Sequence, residues 1–251
     1  MTGFTPASAL ITGAAQRVGR SLALHLAQQG WDIVLHYHRS QTHALELADE
    51  LRAIGRQVAL APANLADPNS VTQIVEAAQG LPPITLLIHN ASLFAKDTLP
   101  TLNADHLREH LQVNLETPLL LTRAFAERFP KGEQAGNVIC LLDGMQGWSI
   151  SPNFLSYSLS RLAMQEAIPL LASELAPHIR VNGIALGATL PGVMDKSTTF
   201  AKLEWVTPLR RTSHPQEVCD AVDFLLRADG VTGQIFNLSG GMNLARHHSA
   251  D

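Results

Sequence analysis

Ala9-Leu10-Ile11-Thr12-Gly13-Ala14-Ala15-Gln16-Arg17-Val18-Gly19-Arg20 sets the reading of the whole chain. A short apolar run ends in a glycine turn. A helical pattern follows, with Val18, Leu22 and Leu26 at spacing four. Small residues let the backbone turn sharply and approach a phosphate. A helix N-terminus adds free N–H groups and a dipole that favours an anion. The glycines stand as G-x-x-x-x-x-G rather than G-x-G-x-x-G, with Arg17 at the middle position. Taken alone, the segment also reads as a plain glycine turn leading into a helix.

Six more apolar runs follow: 33–35, 58–60, 86–88, 138–142, 181–185 and 234–238. Their continuous apolar character suits strands covered on both faces, as in a parallel sheet. Helical patterns separate them at 17–29, 42–54, 69–78, 105–129, 154–175 and 216–226. In the second, Leu45, Ala48 and Leu51 form the stripe; in the fourth, Leu111, Leu115 and Leu119 fall together. Pro169 lies inside the fifth, where a proline removes a helix hydrogen bond. Strand–helix alternation of this kind predicts an α/β fold. The expected architecture is one Rossmann-like domain over 1–251, a doubly wound parallel sheet of about seven strands with helices on both faces. The tail, 245–251, is expected to fray.

The 251 residues carry 18 basic and 22 acidic side chains, a net charge of -4, which argues against a nucleic-acid partner. Charged residues are only 16%, against roughly 25% in an average domain. The basic set is lopsided, with four lysines and fourteen arginines. No apolar run nears the ~18 residues of a membrane span. The first twelve residues read as a strand, not a signal peptide. Cys140 and Cys219 give no disulfide framework and no metal spacing, so a cytoplasmic location and no bound metal are expected.

His36-Tyr37-His38-Arg39-Ser40 ends the second strand, about 20 residues beyond the glycine turn, where a dinucleotide fold meets the adenosine ribose. An acidic residue there would accept from a 2′-hydroxyl and repel a phosphate. A guanidinium beside a hydroxyl matches a 2′-phosphate instead. NADPH is therefore the expected cofactor, the alternative being a solvated basic loop.

With further motifs the chain resembles the short-chain dehydrogenase/reductases. The resemblance rests on Thr12-Gly13, Asn64-Leu65, His89-Asn90-Ala91-Ser92, Val113-Asn114, Tyr157 with Arg161, Arg180-Val181-Asn182 and Val231-Thr232-Gly233-Gln234, in the family's order. Within that family it is similar to the pteridine reductases and the bacterial dihydropterin or dihydrofolate reductases. Arg17, the 36–40 loop and Asn90-Ala91-Ser92-Leu93-Phe94 carry that likeness.

The resemblance implies hydride transfer from NADPH to a C=N bond of a dihydropterin, with a proton to the ring nitrogen; the alternatives are a carbonyl or enoyl reductase of the same family, or a nucleotide-binding protein whose catalysis Arg161 has impaired. Gly13, Arg17, Val18 and Gly19, the 36–40 loop, Asn64, Leu65, Asn90, Ala91, Ser92, Tyr157, Arg161, Gly187 and Thr189 would contact the cofactor. Arg17, Ser92, Phe94, Asp143 and Tyr157 would contact the pterin, with Phe94 as one side of a slot; a Phe after a strand also reads as core. Tyr157 matches the family's acid. A phenol needs a nearby cation to act near neutrality. The family places a Lys four residues on; here it is Arg161, which supplies charge but does not deprotonate.

Asp143, fourteen residues before Tyr157, stands near the family's substrate-holding position. It reads either as the partner of Tyr157 or as a strand-end turn aspartate. Asn114 matches a helix-kink Asn that holds a proton-relay water, or is a plain polar helix residue. The stretch 190–206 is expected to be a mobile substrate loop. The family's usual assembly is a homo-tetramer, with a homo-dimer as the alternative.

Overall fold

Seven parallel strands form one sheet in the order β3-β2-β1-β4-β5-β6-β7. They are β1 (Ser8–Ile11), β2 (Asp32–Tyr37), β3 (Val58–Pro62), β4 (Ile84–His89), β5 (Gly136–Asp143), β6 (Ile179–Leu186) and β7 (Ile235–Leu238). The computed structural model describes residues 7–130, 136–144, 153–190, 204–205 and 207–244. Most of the 190–206 stretch and all of 245–251 lie outside the described residues.

Side chains alternate across each strand, so both faces are apolar. Ala9, Ile11, Ile33, Leu35, Leu86, Ile88, Ile139 and Leu141 point to one layer. There they meet the helices α1 (Arg17–Gln28), α2 (Gln41–Ala53) and α7 (Pro215–Arg227). Leu10, Val34, Leu87, Val138, Cys140 and Leu142 point to the other. That layer holds α3 (Ser70–Ala77), α5 (Thr117–Arg128) and α6 (Leu155–Leu175). This is the doubly wound Rossmann-like sheet expected from the alternating runs, with α4 (Ala104–Leu111) leading towards α5.

Two helix patterns differ from the expectation. In α2 the buried stripe is Ala44, Leu47, Ala48 and Leu51, while Leu45 is exposed. The long helix over 105–129 is interrupted by a wide π turn over Gln112–Glu116. Its inward line is His110, Asn114, Thr117 and Leu121, and Leu111, Leu115 and Leu119 are only half-buried. An extra residue in one turn rotates the helix and turns a polar residue inward. Helix α6 runs unbroken through Pro169.

Arg180 and Asn182 have a structural task. The Arg180 guanidinium donates to the carbonyls of Leu225 at 2.7 Å and Ala228 at 2.9 Å, closing the C-terminus of α7. Asn182 donates to Val231 O at 3.0 Å and accepts from Gln234 N–H at 3.0 Å, which sets the turn into β7.

The strand order reverses between β1 and β4, so a crevice opens at the carboxyl ends of those strands. Gly13 and Gly19 floor it. Gly13 has φ +63°, and a Cβ there would meet Ala91 at 3.1 Å. A Cβ on Gly19 would lie 2.3 Å from Gly13 O, because α1 packs directly under the turn. Gly19→Ala should therefore destabilise the fold by about 2–4 kcal/mol. Thermal denaturation checks this; an unchanged midpoint would contradict it.

Candidate active site

The turn and the loop after β4 are one assembly. The Thr12 hydroxyl accepts from Asn90 N–H at 2.9 Å and from Ala91 N–H at 3.0 Å. The Asn90 amide returns the bond, donating to Thr12 O at 2.8 Å and Gly13 O at 3.0 Å. Asn90 thus braces the turn rather than spending its donors outward. Arg17 sits at φ +55°, a left-handed conformation that costs a non-glycine residue roughly 1–2 kcal/mol. Its guanidinium donates to Leu190 O at 3.1 Å, tying the turn to the chain after β6.

The end of β2 divides by depth. His36 is 2% exposed. Its Nδ1 accepts from Gly13 N–H at 3.0 Å, and its Nε2 lies 3.1 Å from Ala63 O. Tyr37 packs into the core. These two were expected to contact the cofactor; the structure places both side chains inward. β2 is covered on both faces, and His36 holds the glycine turn from below through Nδ1 while its Nε2 bonds the chain after β3. His38 and Arg39 are exposed, and the half-buried Ser40 donates to Gln16 Oε1 at 3.2 Å.

The adenine side shows a similar division. Asn64 Oδ1 accepts from Ala66 N–H at 3.1 Å, forming a local turn. Leu65 is buried in the core, and its carbonyl accepts from the Thr117 hydroxyl at 2.7 Å. Thr189 donates to Gly187 O at 3.1 Å. A Cβ on Gly187 would lie 2.7 Å from Ser239 Cα, so glycine is required there by packing.

The glycine cradle, the N-terminus of α1 and the exposed Arg39 fit a phosphorylated dinucleotide. Free N–H groups at a helix N-terminus favour an anion such as a pyrophosphate. Arg39 can hold a further phosphate.

At the carboxyl end of β5, Asp143, Tyr157 and Arg161 converge. The buried Tyr157 hydroxyl donates to the Asp143 carboxylate and accepts from the Arg161 guanidinium. Burial raises the phenol above its usual value. Arg161 opposes the shift and Asp143 adds to it. Arg161 does pull the phenol down, as its charge implies, but desolvation outweighs the guanidinium. The phenol stays protonated through the neutral range, as an acid must.

Arg161 is itself 7% exposed and donates inward to Leu141 O, a carbonyl of β5. Among the described residues its Nε has no partner. Neighbouring groups register its charge. His89 is pushed down to about 3 by burial and by Arg161. Cys140 is pushed up to about 12 by burial, against the pull of Arg161.

Phe94 is 61% exposed, which settles it as surface rather than core. Its ring stacks on Phe154 at 4.4 Å and 8°, and meets Tyr157 edge-on at 4.7 Å. Ser92 is exposed beside it. Asn114 sits in the π turn and is fully buried. It accepts from Leu93 N–H at 2.7 Å, donates to Leu93 O at 2.9 Å, and donates to Ser160 Oγ at 2.9 Å. Its amide therefore clamps the Phe94 loop to α6. Phe154 was not anticipated from the sequence, although its position three residues before Tyr157 is a usable signal.

The fold and this cluster define an oxidoreductase of the dinucleotide-binding type. Residues 7–202 match the short chain dehydrogenase family, and the chain belongs to it. It is 30% identical to pteridine reductase 1 of Leishmania tarentolae, over 98% of this chain and 99% of that one. It is 29% identical to a 3-oxoacyl-[acyl-carrier-protein] reductase of Synechocystis sp., over 96% and 99%. Among solved structures it resembles FolM alternative dihydrofolate reductase 1 from Brucella canis, complexed with NADP. The TM-score is 0.91 and the identity 32%, over 97% of this chain and 96% of that one.

Two buried histidines give the site a pH signature. Burial lowers His36 from 6.5 to about 4, and His89 lies lower still. Both are neutral in the folded chain, and the unfolded chain binds their protons below about 6.5. Stability therefore rises with pH across this window and is lost on acidification. Between pH 7 and 5 the two together should remove up to roughly 4 kcal/mol. Urea midpoints measure this; a flat profile over that range would contradict it.

Proposed function

We propose that the chain is an NADPH-dependent reductase of a 7,8-dihydropterin, such as dihydromonapterin, dihydrobiopterin or dihydrofolate. It would reduce a C=N bond to give the tetrahydro form. One observation carries the reading: the exposed Phe94, stacked on the half-buried Phe154, meets the ring of Tyr157 edge-on, and the Tyr157 hydroxyl is bonded to Asp143. A flat apolar face beside paired acid groups suits a planar heteroaromatic ring that must accept a proton. The likeness to pteridine reductase 1 and to the FolM reductase supports it.

When bound, the nicotinamide supplies the hydride. The chain's own residues do the rest. The backbone of the glycine turn and the N-terminus of α1 take the pyrophosphate. Arg39, with His38 and Ser40, takes the 2′-phosphate, which selects NADPH. Phe94 orients the pterin and Ser92 lies at its edge. Tyr157 holds the transferable proton on Oη and delivers it to the ring nitrogen. Without substrate that O–H rests on Asp143, so it swings from the carboxylate to the ring nitrogen when the pterin is in place. Arg161 supplies positive charge beneath the phenol and anchors α6 to β5 through Leu141 O.

The assembly expected with this reading is a homo-tetramer, or a homo-dimer, in the cytoplasm. Leu159, Leu162 and Leu170 are exposed along α6, an apolar line that a second copy would cover.

NADPH oxidation should be fast with 7,8-dihydropterins and slow with a ketone panel. Turnover of ketones alone would establish instead a carbonyl reductase, the activity of the 3-oxoacyl-[acyl-carrier-protein] reductase relative. Tyr157→Phe should lower kcat by about 10²–10⁴ with little change in NADPH affinity. Arg39→Asp should raise the KM for NADPH by about tenfold or more and narrow its preference over NADH. An unchanged preference would remove Arg39 from the phosphate site.

A further inference from the structure

The segment carrying Phe94 is held at both ends. At its start the Asn114 amide grips Leu93 on both backbone groups. At its far end stands Asp97, a carboxylate only 4% exposed. A buried charge is costly unless it is matched, and Asp97 is matched by the catalytic helix. Its Oδ1 accepts from Ser156 N–H at 3.0 Å, and its Oδ2 accepts from the Ser156 hydroxyl. His106 Nδ1, from α4, lies 3.4 Å from Oδ2. Burial would raise this carboxyl, but the Ser156 bonds and His106 outweigh it and hold it below the usual range.

The backbone joins at the same place. Asp97 N–H donates to Asn153 O at 3.0 Å, and Leu155 N–H donates to Asp97 O at 3.3 Å. Asp97 and Phe154 thereby form a parallel bridge. The start of α6 has no cap of its own, since Phe154 stands at the N-cap and offers no side-chain hydrogen bond. Orphan N–H groups of a first turn need an acceptor, and a carboxylate there also meets the positive end of the helix dipole. Asp97 supplies both from another part of the chain.

We propose that Asp97 is a positioning residue for the reaction: by capping α6 through Ser156 it fixes the gap between the Phe94–Phe154 wall and the Tyr157 hydroxyl. It touches neither substrate nor cofactor. His106 supports the carboxylate from outside, and its own ring rests edge-on against His110 at 4.4 Å. Tyr157 follows Ser156 directly, so any rotation of the first turn of α6 moves the acid. Phe94 lies three residues before Asp97, so the same slip moves the wall. The inference rests on Tyr157 as the acid and Phe94 as the substrate wall.

The test compares Asp97→Ala, Asp97→Asn and Ser156→Ala with wild type, using the full chain, NADPH and 7,8-dihydrobiopterin. Asp97→Ala should lower kcat/KM for the pterin by about tenfold or more, because small misplacements of a catalytic group carry large rate losses. KM for NADPH, set at the distant glycine turn and Arg39, should stay within about twofold of wild type. Asp97→Asn should restore most of the pterin kcat/KM, since its amide oxygen still accepts from Ser156 N–H.

A variant with a lowered melting midpoint but wild-type pterin kcat/KM would overturn the proposal. So would parallel losses for pterin and NADPH, or failure of Asp97→Asn to rescue. If Asp97→Ala does not fold, Ser156→Ala removes one arm only and should show the same split at about threefold; wild-type constants would overturn the proposal. Should wild type leave dihydrobiopterin untouched, the functional reading fails. The split is then read on the ketone that the enzyme does reduce.

Discussion

The Thr12 hydroxyl accepts two backbone N–H groups from the start of the loop after β4, and Asn90 returns two donors to the glycine turn. This four-bond junction sits where the strand order reverses. It binds the phosphate-facing turn to the loop that bears Phe94. Everything functional is referenced to it. On one side His36 supports the turn from beneath. On the other, Asn114 and Asp97 carry the same loop across to α6. Cofactor crevice and aromatic wall are thus two faces of one rigid unit.

The other organising feature is a buried positive charge. Arg161 lies among His89, Cys140, Leu141 and Tyr157. Its charge acts with desolvation at His89 and against it at Cys140 and Tyr157, where burial wins. His89 is kept neutral and bonds Thr122 Oγ1 at 2.8 Å. Cys140 is kept as an unreactive thiol. Tyr157 is kept as a phenol, with its proton aimed at Asp143. A lysine would offer a point charge on a flexible stem. The arginine also forms a strut between α6 and β5, so its charge and its packing cannot be separated.

The sheet was legible in the sequence because β-strands buried on both faces must be continuously apolar, and all seven runs pair in the structure. Other features were hidden for physical reasons. The π turn at Gln112–Glu116 escaped because one wide turn leaves the spacing of Leu111, Leu115 and Leu119 intact. Leu45 looked buried because period alone does not choose between adjacent faces of a helix. His36 looked outward because it neighbours Arg39, yet strand alternation sends it under the turn. Asp143 and Arg161 were legible through the family positions they match around Tyr157. Asp97 was not, since its partner Ser156 lies 59 residues away and no local pattern records the pair.

The central claim is that Phe94 and the Tyr157–Asp143 pair form two sides of one pterin slot. A crystal structure with NADP and a dihydropterin tests it directly. The pterin ring should lie parallel to Phe94, on the face opposite Phe154, with a ring nitrogen within hydrogen-bond reach of Tyr157 Oη or Asp143. A pterin bound away from Phe94, or with its ring nitrogens out of reach of both groups, would contradict the claim.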